Sequence, residues 1–152
     1  MNEIRLKRLL LGGLATFVAW IGVSILLEGI LGSLLFGDLI EEMWLETSVI
    51  GEWSGLNQVL NIALALLNST LLIWLYASLR PMYGVGARTA LIASTLGVIW
   101  VWSLTLNLIN LGLLPPELGL VEGLYESIEF PIAMLAGAEI YEGKDRRDTE
   151  GE

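Results

Sequence analysis

Apolar residues fill this chain in four long blocks, and its charges gather between and beyond them instead of scattering over helical faces. A membrane crossing needs about 20 mostly apolar residues. Four stretches qualify: 9–35, interrupted only by Glu28; 56–79, uncharged and closed by Arg80 and Pro81; 90–114, uncharged and stopped by Pro115 and Pro116; and 118–141. The last is the poorest, because Glu122, Glu126, Glu129 and Glu139 lie within it together with Pro131. It still reads as a span, since residues 132–138 are apolar or small on every side. The pattern predicts an all-α integral membrane four-helix bundle forming a single transmembrane domain over 1–152.

Basic residues set the expected orientation. Arg5, Lys7 and Arg8 precede the first span, Arg80 and Arg88 lie between the second and third, and Lys144, Arg146 and Arg147 follow the fourth. The other two loops have none. That alternation predicts both termini in the cytoplasm of a multi-pass protein of the cytoplasmic (inner) membrane. The N-terminal run is too long for the apolar region of a signal peptide and lacks a small-residue cleavage site, so it is read as a first span.

The first extracytoplasmic loop, 38–55, carries Asp38, Glu41, Glu42, Glu46 and Glu52, with Phe36, Leu39, Ile40, Met43 and Ile50 near the opposite side of a helix. It is expected to form an acidic amphipathic helix at the membrane surface, with Trp44 and Trp53 at headgroup level. A docking surface for a basic partner or divalent cations is the sharper alternative. Charges without apolar residues occupy the tail from Glu142 onward, and 143–152 is expected to be disordered.

Composition narrows the chemistry. The chain is 55% hydrophobic and 16% charged, which is a membrane composition. Zero Cys removes disulfides, thiolate metal sites and cysteine nucleophiles; zero His removes imidazole catalysis and most transition-metal sites. A net charge of -9 argues against nucleic acid. No Walker motif, His-Glu-x-x-His or Gly-x-Ser-x-Gly is present, and Gly84-Val85-Gly86 lacks the strand of a nucleotide fold, so it reads as a turn. No enzyme activity and no cofactor are expected.

The carboxylates of the fourth span are the candidate site. Glu122, Glu126 and Glu129 follow an i, i+4, i+7 spacing that places them on one helical face. A carboxylate inside a bilayer is costly, and the apolar blocks contain no Lys, Arg or His to pair with one. At about 1.5 Å per residue, Glu129 lies roughly 18 Å from the cytoplasmic edge and is the deepest; Glu122 and Glu28 fall near the outer boundary. Asn57, Asn61, Ser103, Asn107 and Asn110 share the outer half, with Asn68 near mid-depth, while Gly12, Gly13, Ala133, Ala136 and Gly137 let helices approach closely in the inner half. The candidate polar or cation cluster is Glu129, Glu126, Glu122, Glu28, Asn61, Asn107 and Asn110. Three roles are open: helix packing through bonds to Asn61, Asn107 and Asn110; an outward vestibule for a proton, monovalent cation or cationic solute; or an interface with another subunit. Pro131 is expected to kink the fourth helix and free the carbonyl of Ser127.

The stretch 75–91, LYASLRPMYGVGARTAL, resembles a pattern in small uncharacterised bacterial membrane proteins with four transmembrane helices. The segments KRLLLGG (7–13) and LAGAEIY (135–141) are similar to the same group. The resemblance implies a bacterial inner-membrane protein and no particular activity. The leading expectation is a non-enzymatic protein acting by helix packing and partner contact, as an accessory or scaffold subunit or a homo-oligomer in the lipid bilayer. The alternative is a small cation or proton pathway, or a solute-binding protein, built on the Glu/Asn cluster.

Overall fold

The computed structural model describes residues 5–32, 34 and 55–143. Four helices make up the chain there: α1 (Leu6–Leu26), α2 (Gly55–Tyr83), α3 (Ala87–Asn110) and α4 (Pro116–Glu142). A π-helical turn, Leu27–Gly32, extends α1. The expected amphipathic segment 38–55 lies outside the described residues except for its last position, and so does 144–152 of the tail.

Each helix is long enough for a membrane. At 1.5 Å per residue, 21, 29, 24 and 27 residues give about 31, 43, 36 and 40 Å, against a hydrocarbon core of about 30 Å. Three are also apolar enough to cross it: Leu6–Leu26, Gln58–Tyr83 and Ala87–Asn110. Only about a quarter of each apolar window is buried within the protein (22%, 28% and 28%), so most of the apolar surface faces outward. Helices apolar on their outer faces suit lipid and not water. α4 is as long but carries too many carboxylates to qualify by composition, and it is the helix with the most buried positions.

The breaks between helices follow from local chemistry. Arg80 and Pro81 were expected to close the second span, yet α2 runs through both, because a proline in the last turn sacrifices a single backbone bond. Gly84 (φ 85°) stops it by donating its N–H to the Arg80 carbonyl, and Gly86 (φ 108°) completes the turn. α3 ends at Asn110, four residues before the expected limit. Gly112 (φ 71°) bonds to the Ile109 carbonyl and Leu113 to that of Leu108, a Schellman cap that terminates the helix before the prolines. Pro116 then opens α4 at its first position, where its missing N–H costs nothing. α4 passes through Pro131 as one continuous helix.

The helices form a ring in chain order. α1 and α3 pack most extensively on α4, α2 bridges α1 and α3, and α2 touches α4 only slightly. One end of the bundle is closed. Its core joins Leu9, Ile73, Tyr76, Ala77, Ala90, Ala93, Met134, Ala138 and Tyr141. The small residues work as expected there: a Cβ on Gly13 would meet the Thr70 backbone at 2.9 Å, and one on Gly137 would run into Thr16 Oγ1 and the Gly12 carbonyl. At the opposite, open end, α2 leaves the others. Among its first fourteen positions, 55–68, no described side chain is buried, and Ser69 is the first that is.

Candidate functional site

Glu129 is 2% exposed, between α1 and α4. Trp20 and Ser24, one turn apart on α1, both donate to its Oε2 at 2.7 Å, from the indole Nε1 and the hydroxyl. The Trp20 ring stacks on Phe130 with centroids 5.7 Å apart, which fixes the indole beside the carboxyl. Oε1 is different. It is buried and has no hydrogen-bond partner among the described residues. Burying such an oxygen costs free energy unless something satisfies it.

Beside this pair, α1 and α2 border a wide-open groove of about 630 Å³. Phe17, Trp20, Ile21 and Ser24 form one wall, and Asn61, Ile62 and Ala65 the other. Its surface is almost wholly apolar, with Ser24 and Asn61 as the polar points. A tighter crevice below it is bordered by Thr16, Trp20, Asn68, Ser69 and Phe130. Trp20 borders both spaces. Ser69 Oγ, at the crevice, is a second buried oxygen with no hydrogen-bond partner among the described residues.

The other expected site residues are distributed unevenly. Glu122 and Glu126 are half-buried on the α4 face below and beside Glu129 in sequence order, and neither is free of neighbours. Asn61 is exposed on α2 and faces Trp20 and Ser24 across the groove. Asn107 and Asn110 are exposed on α3. The hydrogen bonds of Glu129 go to α1, and the packing alternative that paired it with these amides loses its donors to an indole and a hydroxyl. Glu28 belongs to the π-helical turn, and its side chain lies outside the described residues. Among the described residues no three metal-ligating side chains converge.

α3 also reaches α4 through an indole. Trp102 Nε1 donates to Ser127 Oγ at 2.9 Å, and Ser127 in turn donates to the Gly123 carbonyl at 2.7 Å. The Trp102 ring lies where a Gly123 side chain would be, 2.9 Å from an added Cβ. Two tryptophans, one from each neighbouring helix, thus hold different faces of α4.

A second polar cluster, at the closed end, was not anticipated. Glu142, counted with the charged tail, is instead the last residue of α4 and 4% exposed. Its Oε2 pairs with Arg80 Nη2 at 2.7 Å, and its Oε1 accepts from the Tyr76 hydroxyl at 2.5 Å. Arg8 Nη1 donates to its backbone carbonyl at 3.0 Å, and the Arg80 guanidinium lies 5.5 Å from the Tyr141 ring centre. Tyr76 also accepts from the Gly86 N–H at 3.1 Å. Residues from α1, α2, the α2–α3 turn and α4 are therefore joined in one network around Glu142.

Set beside protein-family models, curated proteins and solved structures, the chain finds no match.

Proposed function

We propose that this chain is a non-enzymatic bacterial inner-membrane protein, crossing four times with both termini cytoplasmic, that binds a largely hydrophobic solute from within the bilayer in the groove between α1 and α2. The observation that carries this reading is the enclosure of Glu129: its carboxyl is turned into the protein, one side chain behind the groove wall, instead of facing lipid. A carboxyl on the lipid face would require a partner chain to cover it. One held inward beside a side-open cleft suits a site that a solute enters. The groove has the size and make-up of ligand sites generally, mostly apolar and aromatic with a few placed polar groups. The closed end supplies the rigid base that keeps α1 and α4 in register. The basic-residue alternation supports the orientation, and the resemblance to small four-span proteins supports the bacterial membrane.

The test uses small molecules retained by the purified protein. Wild type and Ala65→Trp, which fills the groove from α2, are extracted from native membranes and their bound solutes compared by mass spectrometry. A solute present in near-equal amount with wild type and depleted at least about fivefold in the variant is the expected result, since loss of a cavity removes most of a ligand's buried surface. Identical complements in both proteins would overturn the reading and return the function to helix packing and partner contact.

A further inference from the structure

We infer that the solute of this groove is a hydrophobic monocation, an onium centre carried on aromatic or aliphatic groups; this rests on the groove being a solute site. Three features converge on that class. Glu129 is 98% buried by its 2% exposure, and Oε1 has no hydrogen-bond partner among the described residues. No Lys, Arg or His occurs in the four apolar blocks, so the chain supplies no counter-charge at that depth. Trp20, which donates to this carboxyl, and Phe17 then offer aromatic surface on the groove wall.

The geometry also selects among cations. A metal ion needs several converging oxygens at close range, and among the described residues no such group of carboxylates exists. A strongly hydrated ammonium would lose its water to a wall that, among the described residues, offers Ser24 and Asn61 as its polar side chains. A shielded onium ion has little hydration to lose and needs no directed hydrogen bond. Its body matches the apolar walls, its charge is attracted to the indole face of Trp20, and the carboxyl one side chain behind acts through a low-dielectric medium where charges reach further than in water.

Tetraphenylphosphonium and tetraphenylborate, nearly the same in shape and opposite in charge, separate charge from hydrophobicity. Each is titrated by equilibrium dialysis against wild type, Glu129→Gln and Ala65→Trp in phosphatidylcholine nanodiscs, with empty discs subtracted. The expected result is that wild type binds the phosphonium at least about tenfold tighter than the borate, that Glu129→Gln removes this preference, and that Ala65→Trp weakens both. Equal binding of the two ions by wild type, or a preference untouched in Glu129→Gln, overturns the cation inference while leaving a solute groove in place. Binding of neither ion above empty discs overturns the groove reading as well. Should Glu129→Gln not fold, the ion preference of wild type and the weakened binding of both ions by Ala65→Trp decide the matter alone.

Discussion

Two glutamates thirteen residues apart on α4 meet opposite fates. Glu142, at the closed end, has both carboxyl oxygens and its backbone carbonyl engaged by Arg80, Tyr76 and Arg8. Glu129, toward the open end, has one oxygen held twice and the other not at all among the described residues. Their burial is nearly the same, 4% and 2%. What differs is completeness among the described residues: both oxygens of the first carboxyl are engaged, and only one oxygen of the second is. Completion suits a structural joint. An incomplete shell, kept rigid by Trp20 and its stack on Phe130, suits recognition, because its geometry is already set before a ligand supplies the missing interaction.

The comparison is broken most severely by removing the close approach on which both sites depend. Gly137→Val would drive a side chain into Thr16, Ile73 and the Gly12 backbone, and backbone cannot rotate away. We expect a loss of about 3 kcal/mol or more, the upper range of overpacking, read as failure to recover a monodisperse protein or as a large fall in its midpoint of thermal aggregation. Next in size is Glu142→Gln. It keeps the shape and the Tyr76 contact but leaves the Arg80 charge, 23% exposed, without its partner. Breaking a largely buried pair costs about 3 kcal/mol, here reduced by the access of Arg80 to solvent and headgroups, so about 2 kcal/mol is expected in reversible unfolding. Glu129→Gln should cost far less, under about 1 kcal/mol, because a Gln carbonyl accepts from Trp20 and Ser24 as the carboxyl does. If the two Gln variants are equally destabilised, the contrast between a structural and a recognition carboxyl fails.

How far all this was legible follows from what each signal measures. The four blocks, the Gly-Val-Gly turn and the close approach at Gly12, Gly13 and Gly137 depend on local composition and on residue size, and both can be read along a line. Glu129 stood out for the same reason, as an acidic residue deep in an apolar block. Its partners did not, because charges and amides are the conspicuous candidates to meet a carboxylate, whereas an apolar interior admits an indole N–H or a hydroxyl at far lower cost than a charge. Depth alone points to them: at about 1.5 Å per residue Trp20 and Ser24 rise roughly 16 and 22 Å above Leu9, bracketing the 18 Å of Glu129. Glu142 was hidden differently. It adjoins a charged tail, and only the packing of α4 against Arg80 and Tyr76 separates it from that tail. Arg80, read as a topology marker, could equally have been asked which carboxylate shares its level.

Smaller effects sharpen the contrast at the open end. Trp20→Phe keeps the ring that stacks on Phe130 and removes the indole donor, so it isolates one hydrogen bond to Glu129; about 1 kcal/mol is the expected loss in unfolding free energy. Ser24 then remains as the only described donor to the carboxyl. A loss larger than that of Glu142→Gln would mean that Glu129 is the main joint of the bundle.

Asn107→Ala gives the smallest change. Asn107 and Asn110 lie in the C-terminal half of α3, where the sequence pattern put them in reach of the α4 carboxylates, but Asn107 is exposed and α3 bonds to α4 through Trp102 and Ser127, off the carboxylate face. Removing an exposed amide from a helix leaves no buried group without a partner, and alanine is the better helix former, so the change in stability should stay within about 0.5 kcal/mol. Phosphonium binding should be unchanged too. A loss comparable to that of Trp20→Phe, in either measurement, would draw α3 into the site and make the outer end of the bundle a closed polar chamber instead of a groove open between α1 and α2.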